Sequence, residues 1–202
     1  SSFCQPELKY LGYYITRQGI RPLKAKVEAI ASVTAPKDRK QLRRFIGMIN
    51  YYRDMWPHRA HILAPLSSLT SSKVRWKWTE EHQKAFEKMK KVIMEETLLA
   101  YPDFNKPFHI HTDASKVQLG ACISQEGRPL AFYSRKLNSA QTRYTTTERE
   151  LLSIVETLKE FRTILLGQQI IVHTDHENLT YKNFNSDRVL RWRLYIEEYA
   201  PQ

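Results

Sequence analysis

Two acidic residues, Asp113 and Asp175, stand in the same phrase: "IHTDAS" and "VHTDHENL" each close an apolar, strand-like run on Thr-Asp. In α/β sheets the carboxyl ends of strands are where ligands bind. A third acid, Glu150, lies between them in "ERELLSIV", near the start of a helical stretch whose apolar residues would hold it against a sheet. Three carboxylates at one sheet edge repel each other unless a cation neutralises them, and hard oxygen donors select Mg²⁺ or Mn²⁺. Such a set suggests two-metal phosphodiester cleavage, with ions roughly 3.5 to 4 Å apart, one lowering the pKa of the attacking water and one stabilising the leaving oxygen. Taken singly, each acid has a plainer reading. Asp113 and Asp175 would be strand-end turn formers, and Glu150 a first-turn acid answering the helix dipole. The conjunction favours the site.

The elements that must position these acids can be read from periodicity. "FHIHTDA", "LGACISQ" and "PLAFYSRKL" alternate as three strands joined by turns, and "QIIVHTD" makes a fourth. Between them "YTTTERELLSIVETLKEFRTILLG" reads as a helix, with Thr145 and Glu148 spaced as a capping box and Gly167 as its stop. "RVLRWRLYIEEY" reads as a final helix. Three adjacent strands, a helix and a returning strand make an α/β pattern.

Upstream of the proline-rich boundary "YPDFNKP" the pattern is mainly helical. "LKYLGYYIT" has strand composition, with a Gly turn in the "RQGI" that follows. Helices are then expected from Lys24, from Arg39 with Asp38 as its cap, in "RAHILAPLSSLTSS" with an interruption at Pro65, and from Thr79 onward. In the Arg39 helix, Leu42, Phe45, Ile46, Ile49 and Tyr52 recur at three and four, leaving Arg39, Lys40, Arg43 and Arg44 largely on the other side. Tyr51, Tyr52, Trp56, Trp76 and Trp78 sit among apolar neighbours and read as core more than as a base-stacking platform.

The 202 residues are 42% hydrophobic, enough to bury a real core in one or two domains, and carry a net charge of +11. Residues 1–105 hold 19 Lys and Arg against 10 Asp and Glu, while residues 106–202 hold 13 against 11. A basic excess of this size favours a polyanionic partner, nucleic acid before a membrane surface. Two cysteines, Cys4 and Cys122, make no disulfide framework and suit a reducing compartment. No apolar run approaches a membrane span and no signal pattern opens the chain, so the expected location is intracellular, in a cytoplasmic particle or the nucleus, and not secreted. His109, His111 and Asp113 form H-x-H-x-D, the opening of a zinc motif that wants a further His where Ala114 stands.

"HTDASKVQLGACISQ", "PLAFYSRKLNSAQTRYTTTERELLSIV" and "VHTDHENLTY" closely resemble the RNase H domain of reverse transcriptases from gypsy-type LTR retrotransposons. "LKYLGYYITRQGIRP", "LRRFIGMINYYRDMWPHRAHILAPLSSL" and "WTEEHQKAFEKMK" resemble the segment before that domain in the same Pol polyproteins. The resemblance implies an α/β fold, an RNase H-like mixed sheet with flanking helices preceded by a mainly helical thumb and connection: residues 1–21 as the end of the polymerase palm, 22–100 as thumb and connection, and 101–202 as a C-terminally shortened RNase H-like domain. It implies that Asp113, Glu150 and Asp175 are catalytic ligands of two Mg²⁺ or Mn²⁺ ions. Glu148 competes with Glu150, but the family's acid directly precedes a Leu-Leu pair, here Leu151 and Leu152.

By the same likeness Tyr10, Leu11, Gly12 and Tyr13 match a primer-grip hairpin, and Arg39, Lys40, Arg43 and Arg44 would track the phosphates of an RNA–DNA hybrid. The implied activity is hydrolysis of the hybrid's RNA strand. No DNA synthesis is expected, because the polymerase's Asp-Asp motif belongs upstream. The family's fourth carboxylate would fall after "EEYAPQ", with Asp187, Glu197 and Glu198 as conceivable substitutes. A rival reading is a catalytically dead, nucleic-acid-binding remnant of a retroelement.

Overall fold

The computed structural model describes residues 5–95, 97–174 and 186–202. It divides into two compact units, Ser1–Tyr101 and Pro102–Gln202. Among the described residues no helix is long and apolar enough to cross a membrane.

The first unit opens with an antiparallel meander of β1 (Glu7–Tyr10), β2 (Tyr13–Thr16) and β3 (Ile20–Pro22). The run 8–16 is therefore two strands, where composition suggested one. Leu11 and Gly12 both take positive φ, 45° and 86°, and close a two-residue turn between Tyr10 and Tyr13. Two positive φ values in succession match the twist of a tight hairpin. Gly12 also leaves room for aromatic rings, since a Cβ there would lie 3.0 Å from the Tyr52 hydroxyl. Tyr52 donates that hydroxyl to the Gly12 carbonyl at 2.7 Å, and Tyr51 donates to the Leu11 carbonyl at 2.5 Å. Burial, followed by the neighbouring Tyr13 and Tyr51, pushes the Tyr52 phenol up to about 12.

Among the described residues, four α-helices follow: α1 (Lys24–Ala31), α2 (Arg39–Asn50), α3 (Arg59–Leu69) and α4 (Glu80–Met94). Asp38 caps α2 by accepting from the Gln41 N–H at 2.8 Å. Thr79 starts α4, and its N–H donates to Nδ1 of His82 at 3.1 Å. The apolar stripe of α2 is buried as its spacing requires, with Leu42, Phe45 and Ile49 fully enclosed and Phe45 against Phe86 of α4 at 4.6 Å between ring centroids. Pro65 does not interrupt α3. The helix runs through it because Ile62, Leu63, Leu66 and Leu69 are buried on both sides of the proline, and their packing outweighs the lost hydrogen bond. Trp56 and Tyr52 are core; Tyr51 remains exposed.

The second unit is a four-stranded sheet in the order β6-β5-β4-β7, with β4 (Phe108–Ala114), β5 (Gln118–Gln125), β6 (Arg128–Lys136) and β7 (Ile170–His173). β4 and β7 are parallel neighbours, whereas β5 is antiparallel to both β4 and β6. Between β6 and β7 lies α5 (Thr146–Glu160), followed after Phe161 by the short α6 (Arg162–Leu165), so the expected single helix is broken once. Thr145 and Glu148 form the expected capping box, with Thr145 N–H on Glu148 Oε2 at 2.8 Å and Glu148 N–H on Thr145 Oγ1 at 3.2 Å.

Alternation on β4 buries Phe108 and Ile110, while His111 and Asp113 on the opposite face are exposed. Leu151, Leu152, Ile154, Val155 and Leu158 of α5 complete the core. Helix α7 (Asp187–Glu197) packs on α5, and Gln202 then exchanges two backbone hydrogen bonds with Ile170 and Val172 of β7. The architecture is the mixed α/β sheet with flanking helices that the resemblance implied.

Gly19 fixes the meander to the chain after α4. Its φ is +151°, Ile20 and Leu99 exchange backbone hydrogen bonds beside it, and a Cβ on Gly19 would fall 2.2 Å from the Leu99 carbonyl oxygen. Gly19→Ala should therefore cost about 2 kcal/mol or more in urea unfolding. Gly47→Ala in α2, where a Cβ meets nothing, should be neutral or stabilising by about 0.5 to 1 kcal/mol. An unchanged midpoint for Gly19→Ala would contradict this packing.

Candidate active site

The carboxyl end of β4 carries Asp113, exposed and paired across the ladder with Gly120 of β5. The small partner keeps the approach to this strand end open. The Gly120 carbonyl also accepts a hydrogen bond from Ser153 at 3.0 Å, and Ser153 is fully buried in α5. That bond ties the helix to the strand pair holding Asp113.

Glu150 stands one turn before Ser153 on the same helix. It is 2% exposed, and its Oε1 accepts from the backbone N–H of Ala114 at 3.1 Å. The residue it touches is the direct neighbour of Asp113, so the fold brings these two acids, 37 apart in sequence, to one strand end. Removing a carboxylate from water costs several kcal/mol unless hydrogen bonds or a cation answer its charge. The Ala114 N–H supplies one such bond.

Glu148, the competing acid, is engaged elsewhere. Its carboxylate accepts from Thr145 in the helix cap and pairs with Arg188 of α7. Burial pushes the Glu148 carboxyl up, but the Thr145 backbone bond and Arg188 outweigh it and leave the pKa below the ordinary carboxylate value. Two positions apart on a helix, the side chains of Glu148 and Glu150 leave about 200° apart, and each finds a different partner.

Asp175 lies outside the described residues. The strand leading to it is β7, whose His173 is in parallel register with His111 of β4. Of the conceivable substitutes for a fourth acid, Asp187 opens α7, Glu197 is exposed near its end, and Glu198 binds Arg162 at 2.8 Å. Among the described residues no group of three His, Cys, Asp or Glu side chains is arranged to hold a metal ion. The donors that are placed, Asp113 and Glu150, are hard carboxylate oxygens of the kind that Mg²⁺ and Mn²⁺ take.

His109, His111 and His173 stack on the sheet face that also bears Asp113. His109 Nδ1 and His173 Nε2 lie 2.8 Å apart, and the His111 and His173 rings are 4.4 Å apart. Burial, then the neighbouring His173 and His109, lowers the His111 pKa.

The basic residues of α2 divide. Arg43 donates to the Thr70 carbonyl at 2.7 Å and Arg39 to the Val74 carbonyl, both beyond the end of α3, whereas Lys40 and Arg44 face solvent. Tyr10 and Leu11 at the hairpin tip are exposed, while Gly12 and Tyr13 are partly covered by Tyr51 and Tyr52. Arg135 pairs with Glu156 of α5 at 3.4 Å. Arg188 is not singled out by the sequence motifs. The signal for it is the spacing of Arg188 and Trp192 at i and i+4 in "RVLRW", which puts a cation beside an aromatic on one helix face.

Comparison with known proteins agrees with the fold of the second unit. Residues 78–172 match the model of the RNase H-like domain found in reverse transcriptase. The chain is 38% identical over 201 residues to the retrovirus-related Pol polyprotein from transposon 297 of Drosophila melanogaster, covering 98% of this chain and 19% of that protein. It is 33% identical over 209 residues to the transposon Tf2-3 polyprotein of Schizosaccharomyces pombe, covering 98% of this chain and 16% of the relative. The chain thus spans about a fifth of the length of these curated relatives or less. A foamy viral protease-reverse transcriptase dRH, solved in complex with ds DNA, matches with a TM-score of 0.82 at 25% identity, over 98% of this chain and 37% of that one. The chain carries an RNase H-like domain of reverse transcriptase and is homologous to the Pol polyproteins of retrotransposons.

Proposed function

We propose that the second unit hydrolyses the RNA strand of RNA–DNA hybrids, using Asp113, Glu150 and Asp175 as the carboxylates that hold two divalent ions. The observation that carries this reading is the hydrogen bond from Ala114 N–H to Glu150, which sets a buried acid beside Asp113 while Glu148 is held by Thr145 and Arg188. Asp175 follows His173 by two residues, on the chain that leaves the strand parallel to β4. Bound Mg²⁺ or Mn²⁺ would neutralise the acids and polarise the scissile phosphodiester. Asp113, at an exposed strand end, is the acid with open access to a substrate phosphate. Glu150 is the rigid one, fixed by its helix and the Ala114 N–H, and it orients the attacking water. Selection of hybrid over DNA duplex would rest on helix shape and the 2′-OH rather than on base sequence.

The first unit supplies duplex contacts in this proposal. Lys40 and Arg44 face solvent on α2 and are the cations available for phosphate, whereas Arg39 and Arg43 shape the surface by holding the 70–74 segment. The exposed Tyr10 and Leu11 tip, locked by Tyr51 and Tyr52, is the second contact. The likeness to a reverse transcriptase solved with ds DNA supports a duplex partner. The parent would be a Pol polyprotein, working inside the cell.

Asp113→Asn should abolish Mg²⁺-dependent cleavage of a labelled hybrid and leave hybrid binding intact or stronger. Binding itself should weaken by about a hundredfold between roughly 50 and 200 mM salt, as for a protein neutralising about four phosphates. Cleavage that survives Asp113→Asn in nuclease-free protein would overturn the assignment. Salt-dependent binding with no cleavage by the unaltered chain would favour a retroelement remnant that holds nucleic acid without cutting it.

A further inference from the structure

Arg188 of α7 reaches the first turn of α5, and its surroundings are those of a built position. Its guanidinium lies over the Tyr144 ring at 4.0 Å and beside Trp192 at 5.5 Å, and it pairs with Glu148, whose side chain is only 14% exposed. Tyr144 and Trp192 pack against the buried cluster of Leu119, Leu137 and Leu152, and so does Ala114, the residue whose N–H holds Glu150. The buried Arg149 ties the same turn from within, donating to the Tyr144 carbonyl at 2.7 Å and to Thr146 Oγ1 at 3.2 Å. A continuous set of contacts therefore runs from Arg188 through Tyr144 and Glu148 to the helix turn that carries Glu150.

We propose that Arg188 is a positioning residue for the metal-binding carboxylates: stacked on Tyr144 and paired with Glu148, it draws that acid away from the site and seats the first turn of α5 so that Glu150 meets Ala114. The inference rests on the function proposed above and adds the residue that discriminates between its two adjacent glutamates. Three effects combine at this place. The pair removes one negative charge from the neighbourhood of Asp113 and Glu150, which lowers the repulsion among acids. The planar guanidinium serves the carboxylate with its edge and the tyrosine with its face, a combination an ammonium cannot reproduce. The contact also docks α7 on α5, where Val189 is buried one residue away. Arg188 touches no substrate; it acts through Glu148 and Tyr144.

The test measures Mn²⁺ affinity of the whole chain by paramagnetic resonance, at a temperature where every variant is folded, beside the Mg²⁺ midpoint for hybrid cleavage. Arg188→Ala should weaken Mn²⁺ binding and raise the Mg²⁺ midpoint by about tenfold, the usual scale for loss of a group supporting metal ligands. Hybrid affinity without metal should stay unchanged. Arg188→Lys should recover only part of the loss, because it restores charge without the fork and the stacking. Arg188→Ala with unaltered metal midpoints, even if its melting temperature falls, would overturn the proposal and leave Arg188 a plain structural tie. Asp113→Asn serves as the control. If it too keeps full Mn²⁺ affinity, the carboxylate site itself is wrong and the positioning role falls with it.

Discussion

Everything proposed for the second unit depends on one buried carboxylate being held against one strand end. Glu150 is almost wholly removed from water and takes the Ala114 N–H at 3.1 Å. The helix bearing it sits that close because Ser153 bonds to the Gly120 carbonyl and Leu151 to Leu158 fill the space over the sheet. A carboxylate placed this way costs stability, and proteins keep such groups where hydrogen bonds, cations or function answer the charge. The surrounding acids make that placement meaningful, because Asp113 follows from the same strand and Glu148 is drawn to the opposite side of the helix turn.

The first unit has a constraint of its own. At Gly12 a side chain would crowd the Tyr52 hydroxyl and the Tyr51 ring, and at Gly19 it would collide with the Leu99 carbonyl. The hairpin and helix α2 are consequently locked by hydroxyl-to-carbonyl bonds rather than by apolar contact alone. The basic residues of α2 then split between holding the 70–74 segment and facing solvent. A row of cations on one helix face is thus not a uniform phosphate track, since a guanidinium with a carbonyl in reach is already engaged.

Much of the second unit was legible in the sequence because period-two alternation and a Thr-x-x-Glu box are strong local signals. The strands β4, β5 and β6 and the cap at Thr145 follow from them, and the mixed sheet follows from the resemblance their motifs carry. Less legible were features set by long-range contact. Leu11–Gly12 hides a tight turn inside a run of strand formers, since Leu rarely takes positive φ and only Gly12 hints at it. Pro65 reads as a breaker, yet buried leucines on both sides keep α3 continuous. The break at Phe161 carries no glycine or proline. At the site, the preference for Glu150 over Glu148 came from the Leu-Leu pair that follows it, whereas the contacts that separate the two, Ala114 and Arg188, lie 36 and 40 residues away. Arg188 had only its spacing to Trp192 to mark it.

The central claim is that Glu150, and not Glu148, is the glutamate of a carboxylate site that cuts hybrid. The most direct measurement compares Glu150→Gln with Glu148→Gln in cleavage of one labelled RNA–DNA hybrid at saturating Mg²⁺, with binding followed in parallel. The account predicts that Glu150→Gln binds the hybrid and leaves it intact, while Glu148→Gln still cuts. Cutting by Glu150→Gln at the unaltered rate, or silence of Glu148→Gln alone, would contradict it.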